Sequence, residues 1–145
     1  MTPDIKLTAE RIPLEVLNTG NFALLDDLMT TDFVDHTPQN GIPPTREGLK
    51  QSMLALRTAF PDLRYTIEDS VSCGNEVVHR LRATGTMTGP LMGIPPTRKS
   101  ATWTEIHIGR GVDGRLTEHW GLIDQLSMFV QLGVVEAPGP VPVTV

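Results

Sequence analysis

The stretch Leu63-Arg64-Tyr65-Thr66-Ile67-Glu68-Asp69-Ser70-Val71-Ser72-Cys73-Gly74-Asn75 reads as a strand running into a turn. Leu63, Tyr65, Ile67, Val71 and Cys73 alternate with Arg64, Thr66, Glu68, Ser70 and Ser72. Successive strand side chains point to opposite faces, so this alternation describes a strand buried on one side only. Gly74-Asn75 is a two-residue hairpin signal, after which residues 77–87 run back. A Gly/Pro-rich loop over 88–98 leads to a strand over 100–110, and Asp113-Gly114 turns that strand into another over 116–123. The result is a four-stranded antiparallel meander.

Working outward, the first sixty residues carry helical spacing instead. Residues 9–17 place Ile12, Val16 and Leu17 on one side, with Pro13 tolerable only near a helix start. Asn18-Thr19-Gly20-Asn21 breaks this helix, and 22–29 form a second short one. Phe33-Val34-Asp35-His36 is a short strand stopped by Pro38. Thr45 opens a helix through Ala59, with Leu49, Met53, Leu56 and Phe60 at 3.6-type spacing, and Pro61 ends it. Beyond the meander, Leu126, Phe129, Val130 and Leu132 fit a closing helix with Gly133 as its stop. Helices followed by strands define an α+β domain over 1–133, with a proline-rich tail over 134–145. The hexapeptide Gly-Ile-Pro-Pro-Thr-Arg occurs at 41–46 and again at 93–98; both copies read as stiff loop entries.

Bulk properties narrow the function. A chain of 145 residues makes one domain that buries roughly 70% of its unfolded surface. Seventeen acidic against twelve basic residues leave a net charge of -5, with no basic stripe to displace the counterions of a nucleic acid. A single cysteine, Cys73, excludes an intrachain disulfide framework and a cysteine-rich zinc site. No apolar run approaches ~18 residues, and the N-terminus lacks a basic region followed by an apolar core. A soluble cytoplasmic protein, without nucleic-acid or membrane partners, is the expectation.

Chemistry concentrates near the end of the meander. Trp120 and Asp124 lie four residues apart, which on a regular strand turns both to one face. An indole beside a carboxylate would wall a flat organic molecule and raise the acid's pKa. Asp124 also stands where a strand meets a helix, the place for an N-cap, so cap and acid/base remain open and compatible readings. His107 shares strand parity with Trp103 and Glu105, as in a lined cavity, and lies on the strand next to that of Asp124. A β-bulge on either strand would reverse these assignments. His36, at a strand end, can face a cavity mouth. His119 has the opposite parity to Asp124, and His79 shares parity with Leu81 and Ala83, which argues for neither in the pocket. Asp69, interrupting an apolar face, is a secondary candidate. No close helical histidine spacing suggests a metal, and neither a Gly-x-Ser-x-Gly elbow nor a phosphate loop is present.

The segment Gly114-Arg115-Leu116-Thr117-Glu118-His119-Trp120-Gly121-Leu122-Ile123-Asp124 resembles the SnoaL-like polyketide cyclases of the nuclear transport factor two-like superfamily. Asn18-Thr19-Gly20-Asn21, Phe33-Val34-Asp35-His36, Met92-Gly93-Ile94-Pro95-Pro96 and Gln131-Leu132-Gly133 extend the resemblance from Ala9 to Gly133. It implies a cone-shaped α+β fold whose curved antiparallel sheet and helices enclose an apolar pocket. It also implies a cofactor-free intramolecular aldol closure, with the family's acid/base aspartate at Asp124 and its assisting histidine at His107. Trp103, Trp120 and His36 would line the pocket, the substrate would be a small apolar carbonyl compound, and the assembly a homodimer or higher homo-oligomer. The same fold hosts epoxide hydrolases, for which Arg80 or Arg82 beside Asp124 would serve, ketosteroid isomerases, for which only Tyr65 supplies a phenol, and non-catalytic binding modules.

Overall fold

The computed structural model describes residues 4–140, 142 and 144. The reading of the N-terminus extends to residues 1–3, and that of the tail to 141, 143 and 145, which lie outside the described residues.

Helix α1 (Ile5–Arg11) is capped by Asp4, which accepts from Lys6 N at 2.9 Å. It continues as a π-helical segment, Ile12–Leu17, so the helix starts earlier than the apolar spacing suggests. Pro13 therefore sits inside a helix. It has no N–H to donate and its ring crowds the preceding turn, and the chain responds by widening to the i→i+5 bond from Asn18 N to Pro13 O. Asn18 then clamps the sheet: its Nδ2 donates to Tyr65 O at 3.0 Å and its Oδ1 accepts from Tyr65 N at 2.6 Å. A 3-10 turn (Phe22–Leu24) and the short α2 (Leu25–Leu28) lead into β1 (Met29–Asp35), which begins before the stretch read as a strand. Helix α3 (Arg46–Ala59) is capped by Thr45, whose hydroxyl accepts from Gly48 N at 3.1 Å.

Strands β2 (Arg64–Cys73), β3 (Glu76–Thr86), β4 (Ser100–Val112) and β5 (Arg115–Ile123) form the meander, and α4 (Gln125–Gln131) closes the chain, with Gly133 at φ 75° ending it. Beyond Gly133 the described residues carry no helix or strand. The sheet order is β1-β5-β4-β3-β2, with β1 joining β5 in parallel, so the curved sheet is mixed where an antiparallel one was expected. Phe60, Leu25, Met29, Val16 and Leu132 are fully buried between helices and sheet, each contributing about 1.5–3 kcal/mol of burial.

Two bulges decide which side chains face inward. In β2, Ile67 pairs with Leu81 but Asp69 with Arg80, so Glu68 is an extra residue and the parity reverses beyond it. Val71 and Cys73, expected on the buried face, are consequently exposed. In β5, Gly111 pairs with Leu116 but Arg110 with Glu118, which makes Thr117 the extra residue.

Candidate active site

The helical layer covers the sheet incompletely and leaves a cavity of about 140 Å³, several times the ~10–15 Å³ that one water requires. Ile12, Leu17, Leu49, Met53 and Leu56 give it an apolar wall from the helices. The sheet side is different. Asp35, Tyr65, His79, Glu105, His107 and His119 reach the cavity from all five strands.

Four of these side chains form one hydrogen-bonded chain. Asp35 Oδ1 lies 3.0 Å from His119 Nδ1, His119 Nε2 lies 2.8 Å from His107 Nδ1, and His107 Nε2 lies 2.8 Å from Glu105 Oε2. Each end is anchored. Thr37 N donates to Asp35 Oδ1 at 3.0 Å, while Trp103 Nε1 and the Tyr65 hydroxyl donate to Glu105 Oε1 at 2.7 and 2.9 Å. Asp35 and Glu105 are both buried. Burial alone would raise their pKa values, but hydrogen bonds and the nearby histidines outweigh it and hold both carboxyls below their ordinary values. Burial pushes the Tyr65 phenol well up, helped by Glu105, so it stays a neutral donor. His119 is lowered by burial and by His107, against the pull of Asp35. Burial and the two other histidines push His79 down to about 4, and its Nδ1 is buried without a partner.

Of the residues singled out in the sequence, His107 reaches the cavity. Trp103 is buried behind it, tilted against Phe60 at 5.1 Å, and serves Glu105 as a donor without forming part of the cavity lining. Trp120 and His36 do come together, stacked at 4.5 Å, but on the outer side of the sheet, where Arg110 covers the indole. They do not line the cavity as expected. The cause is the bulge at Thr117: continued without it, the pairing of Val112 with Arg115 would set His107 opposite Trp120, whereas His107 pairs with Gly121. His119 thereby takes the inward place that parity denied it. Asp124 is exposed, accepts from Ser127 N at 3.1 Å as the N-cap of α4, and is not among the cavity-lining residues. Asp124→Ala is expected to lower stability by about 0.5–2 kcal/mol and Asp124→Asn to leave it nearly unchanged, as measured by urea unfolding. Arg80 and Arg82 are bound to Asp69 and Glu68 on the exposed side, so no arginine is brought to the cavity beside Asp124. Among the described residues no group of His, Cys, Asp and Glu is arranged to hold a metal ion, and no helix is long and apolar enough to cross a membrane.

Glu105 lines the cavity beside His107, as their shared strand parity indicated, whereas Asp35, His119 and His79 are the site residues that parity missed or left unassigned. Asp35 had one usable signal: it shares parity with Phe33, a core residue, while His36 does not.

A helix-covered curved sheet with an apolar cavity over buried ionisable groups suits acid/base chemistry on a small organic molecule, and residues 8–132 assign the chain to a family. It belongs to the SnoaL-like polyketide cyclases. The chain is 28% identical to aklanonic acid methyl ester cyclase DauD of Streptomyces sp. (strain C5), over 98% of its length and 87% of DauD. It is 30% identical to aklanonic acid methyl ester cyclase DnrD of Streptomyces peucetius, over 92% of its length and 81% of DnrD. The fold matches that of IdmH from Streptomyces antibioticus with a TM-score of 0.79 and 33% identity, covering 90% of this chain and 99% of IdmH.

Proposed function

We propose that the protein is a cofactor-independent cyclase that closes a ring in an activated carbonyl compound by intramolecular aldol addition, exchanging the proton at His107 and His119. The observation that carries this reading is the Asp35–His119–His107–Glu105 chain beneath a cavity whose helical side is largely apolar. A carbon flanked by carbonyls is acidic enough for a histidine to take its proton. The resulting carbanion attacks a second carbonyl of the same molecule, the new C–C bond turns that carbonyl into an alkoxide, and the alkoxide takes the proton back. Substrate and product are isomers, and no electrons are exchanged with a cofactor. The apolar helical wall accepts the carbon skeleton, while the carboxylates at both ends of the chain hold the imidazoles in place.

The test is incubation with aklanonic acid methyl ester in the presence of a chelator. Conversion to a product of equal mass and different retention is expected, with solvent deuterium entering the carbon between the carbonyls when the reaction runs in D2O. Neither conversion nor catalysed exchange, over a panel of 1,3-dicarbonyl esters, would overturn the reading.

A homodimer belongs to the same proposal. Ile106, Ile108 and Leu122 lie exposed on the outer face of β4 and β5, with Leu122 at 77% exposure, and a second copy would cover them. Light scattering at micromolar concentration is expected to give twice the 15.9 kDa of one chain; a 15.9 kDa particle would count against it.

A further inference from the structure

We infer that His107 and His119 hold one excess proton between them and act as a single acid/base group. The inference rests on the proposed site but not on any particular substrate. All four ring nitrogens are engaged in one line of three hydrogen bonds: His119 Nδ1 with Asp35, His119 Nε2 with His107 Nδ1, and His107 Nε2 with Glu105. Three hydrogen bonds need three protons. Two neutral imidazoles between two carboxylates bring only two, and the carboxylates claim both, at the outer nitrogens. The inner nitrogens would then point lone pair at lone pair across 2.8 Å. A third proton removes that conflict. A fourth would restore it in the opposite sense, with two N–H groups facing each other, so the geometry selects the state with one shared charge.

The third proton belongs to the rings. Glu105 Oε1 already receives Trp103 Nε1–H, a group that can only donate, and the Tyr65 hydroxyl; Asp35 receives Thr37 N–H. Both carboxyls are held below their ordinary values, as anions would be. The groups facing the pair complete the balance. From β3, His79 presents its ring edge-on to His107 at 5.8 Å and is neutral in the working range; from β2, Tyr65 is a neutral phenol. Neither lysine nor arginine lines the cavity, and the helices contribute no titratable group to its lining. Among the described residues that line the cavity, the shared proton is therefore the only positive charge available to the two buried carboxylates.

Gly121 makes the arrangement possible. It lies opposite His107 on β5, and a Cβ there would come within 2.6 Å of His107 Nδ1 and 3.0 Å of His119 Cε1. Any side chain at 121 would push the rings apart. For the cyclisation the consequence is directional. Once the third proton has passed to solvent, the pair takes one from carbon readily, because capture converts a lone-pair clash into a hydrogen bond. By giving a proton to the alkoxide, the pair returns to the state in which it began the cycle.

Histidine-selective 15N NMR of the ligand-free protein tests this without a substrate. The expected result is one titration step, in which the His119 Nε2 and His107 Nδ1 signals move together while the two outer nitrogens stay protonated. Gly121→Ala should split this into two independent steps. His119→Gln should remove the coupling, so that the course of the His107 Nδ1 signal with pH changes from that in the unmodified protein, and this second variant decides the matter if Gly121→Ala does not fold. Two independent titrations in the unmodified protein, or a His107 titration indifferent to His119→Gln, would overturn the inference. Joint titration in a protein that closes no ring would instead overturn the cyclase reading and leave the shared proton standing.

Discussion

His107→Gln and His119→Gln are each expected to lower kcat/KM, on a carbonyl substrate that the unmodified protein converts, by about 10²–10⁴-fold, the usual share of a general acid/base, while Asp124→Asn stays close to the starting rate. Glutamine can keep hydrogen bonds to Asp35 or Glu105, so either variant should fold, but an amide does not accept and return a proton near neutral pH. Because the two rings share one proton through a 2.8 Å contact, the losses are not additive. The double variant should be scarcely worse than the worse of the two single ones. Asp124 supplies the contrast: it is exposed and holds the first turn of α4 through Ser127 N, a bond asparagine can also make. The family resemblance gives this aspartate the proton transfer, and the two assignments separate cleanly in the assay. A slow Asp124→Asn beside a fast His107→Gln would return the acid/base role to the strand end.

The fold was legible because its signals are local. Alternation in β2, the Gly74-Asn75 and Asp113-Gly114 turns, the Thr45 cap and the Gly133 stop each act within a few residues, and each names an element that the structure contains. The site was legible only in part, because two single-residue bulges decide it. Period-two reasoning assumes unbroken pairing, and the extra residue at Thr117 exchanges Trp120 for His119 on the cavity side. Nothing in Leu116-Thr117-Glu118 announces that insertion. The parallel pairing of β1 with β5 was equally silent, since it joins residues such as Asp35 and His119 that are 84 positions apart. The repeated hexapeptide shows the same dependence on context. Its first copy ends with Thr45 capping α3 and Arg46 as the first helical residue, whereas in the second Arg98 takes φ 63° in an irregular loop.

Acid should unfold this protein earlier than its carboxylates alone would predict. In the unfolded chain His79 titrates near 6.5, whereas in the fold burial, His107 and His119 push it down to about 4. The native state therefore refuses a proton that the unfolded chain accepts. With the folded pKa the lower of the two, the full stability holds above about pH 6.5, falls as the pH drops through the interval, and levels off below about 4. At about 1.4 kcal/mol per pH unit the loss is about 3 kcal/mol, a large part of the stability of a small domain. His119, also lowered, acts with the same sign. Asp35 and Glu105 add their losses further down, because a depressed carboxyl destabilises only as the pH falls below its unfolded value near 4 towards the folded one. The upper window thus belongs to the histidines. His79→Phe removes the titrating group, keeps an aromatic ring beside His107, and takes away the unpartnered Nδ1. Urea unfolding at pH 7, 5.5 and 4 should show the unmodified protein losing stability steeply and His79→Phe losing distinctly less. Parallel pH profiles for the two proteins would mean that His79 is protonated as readily in the fold as out of it, and would leave the two carboxylates facing a second positive charge.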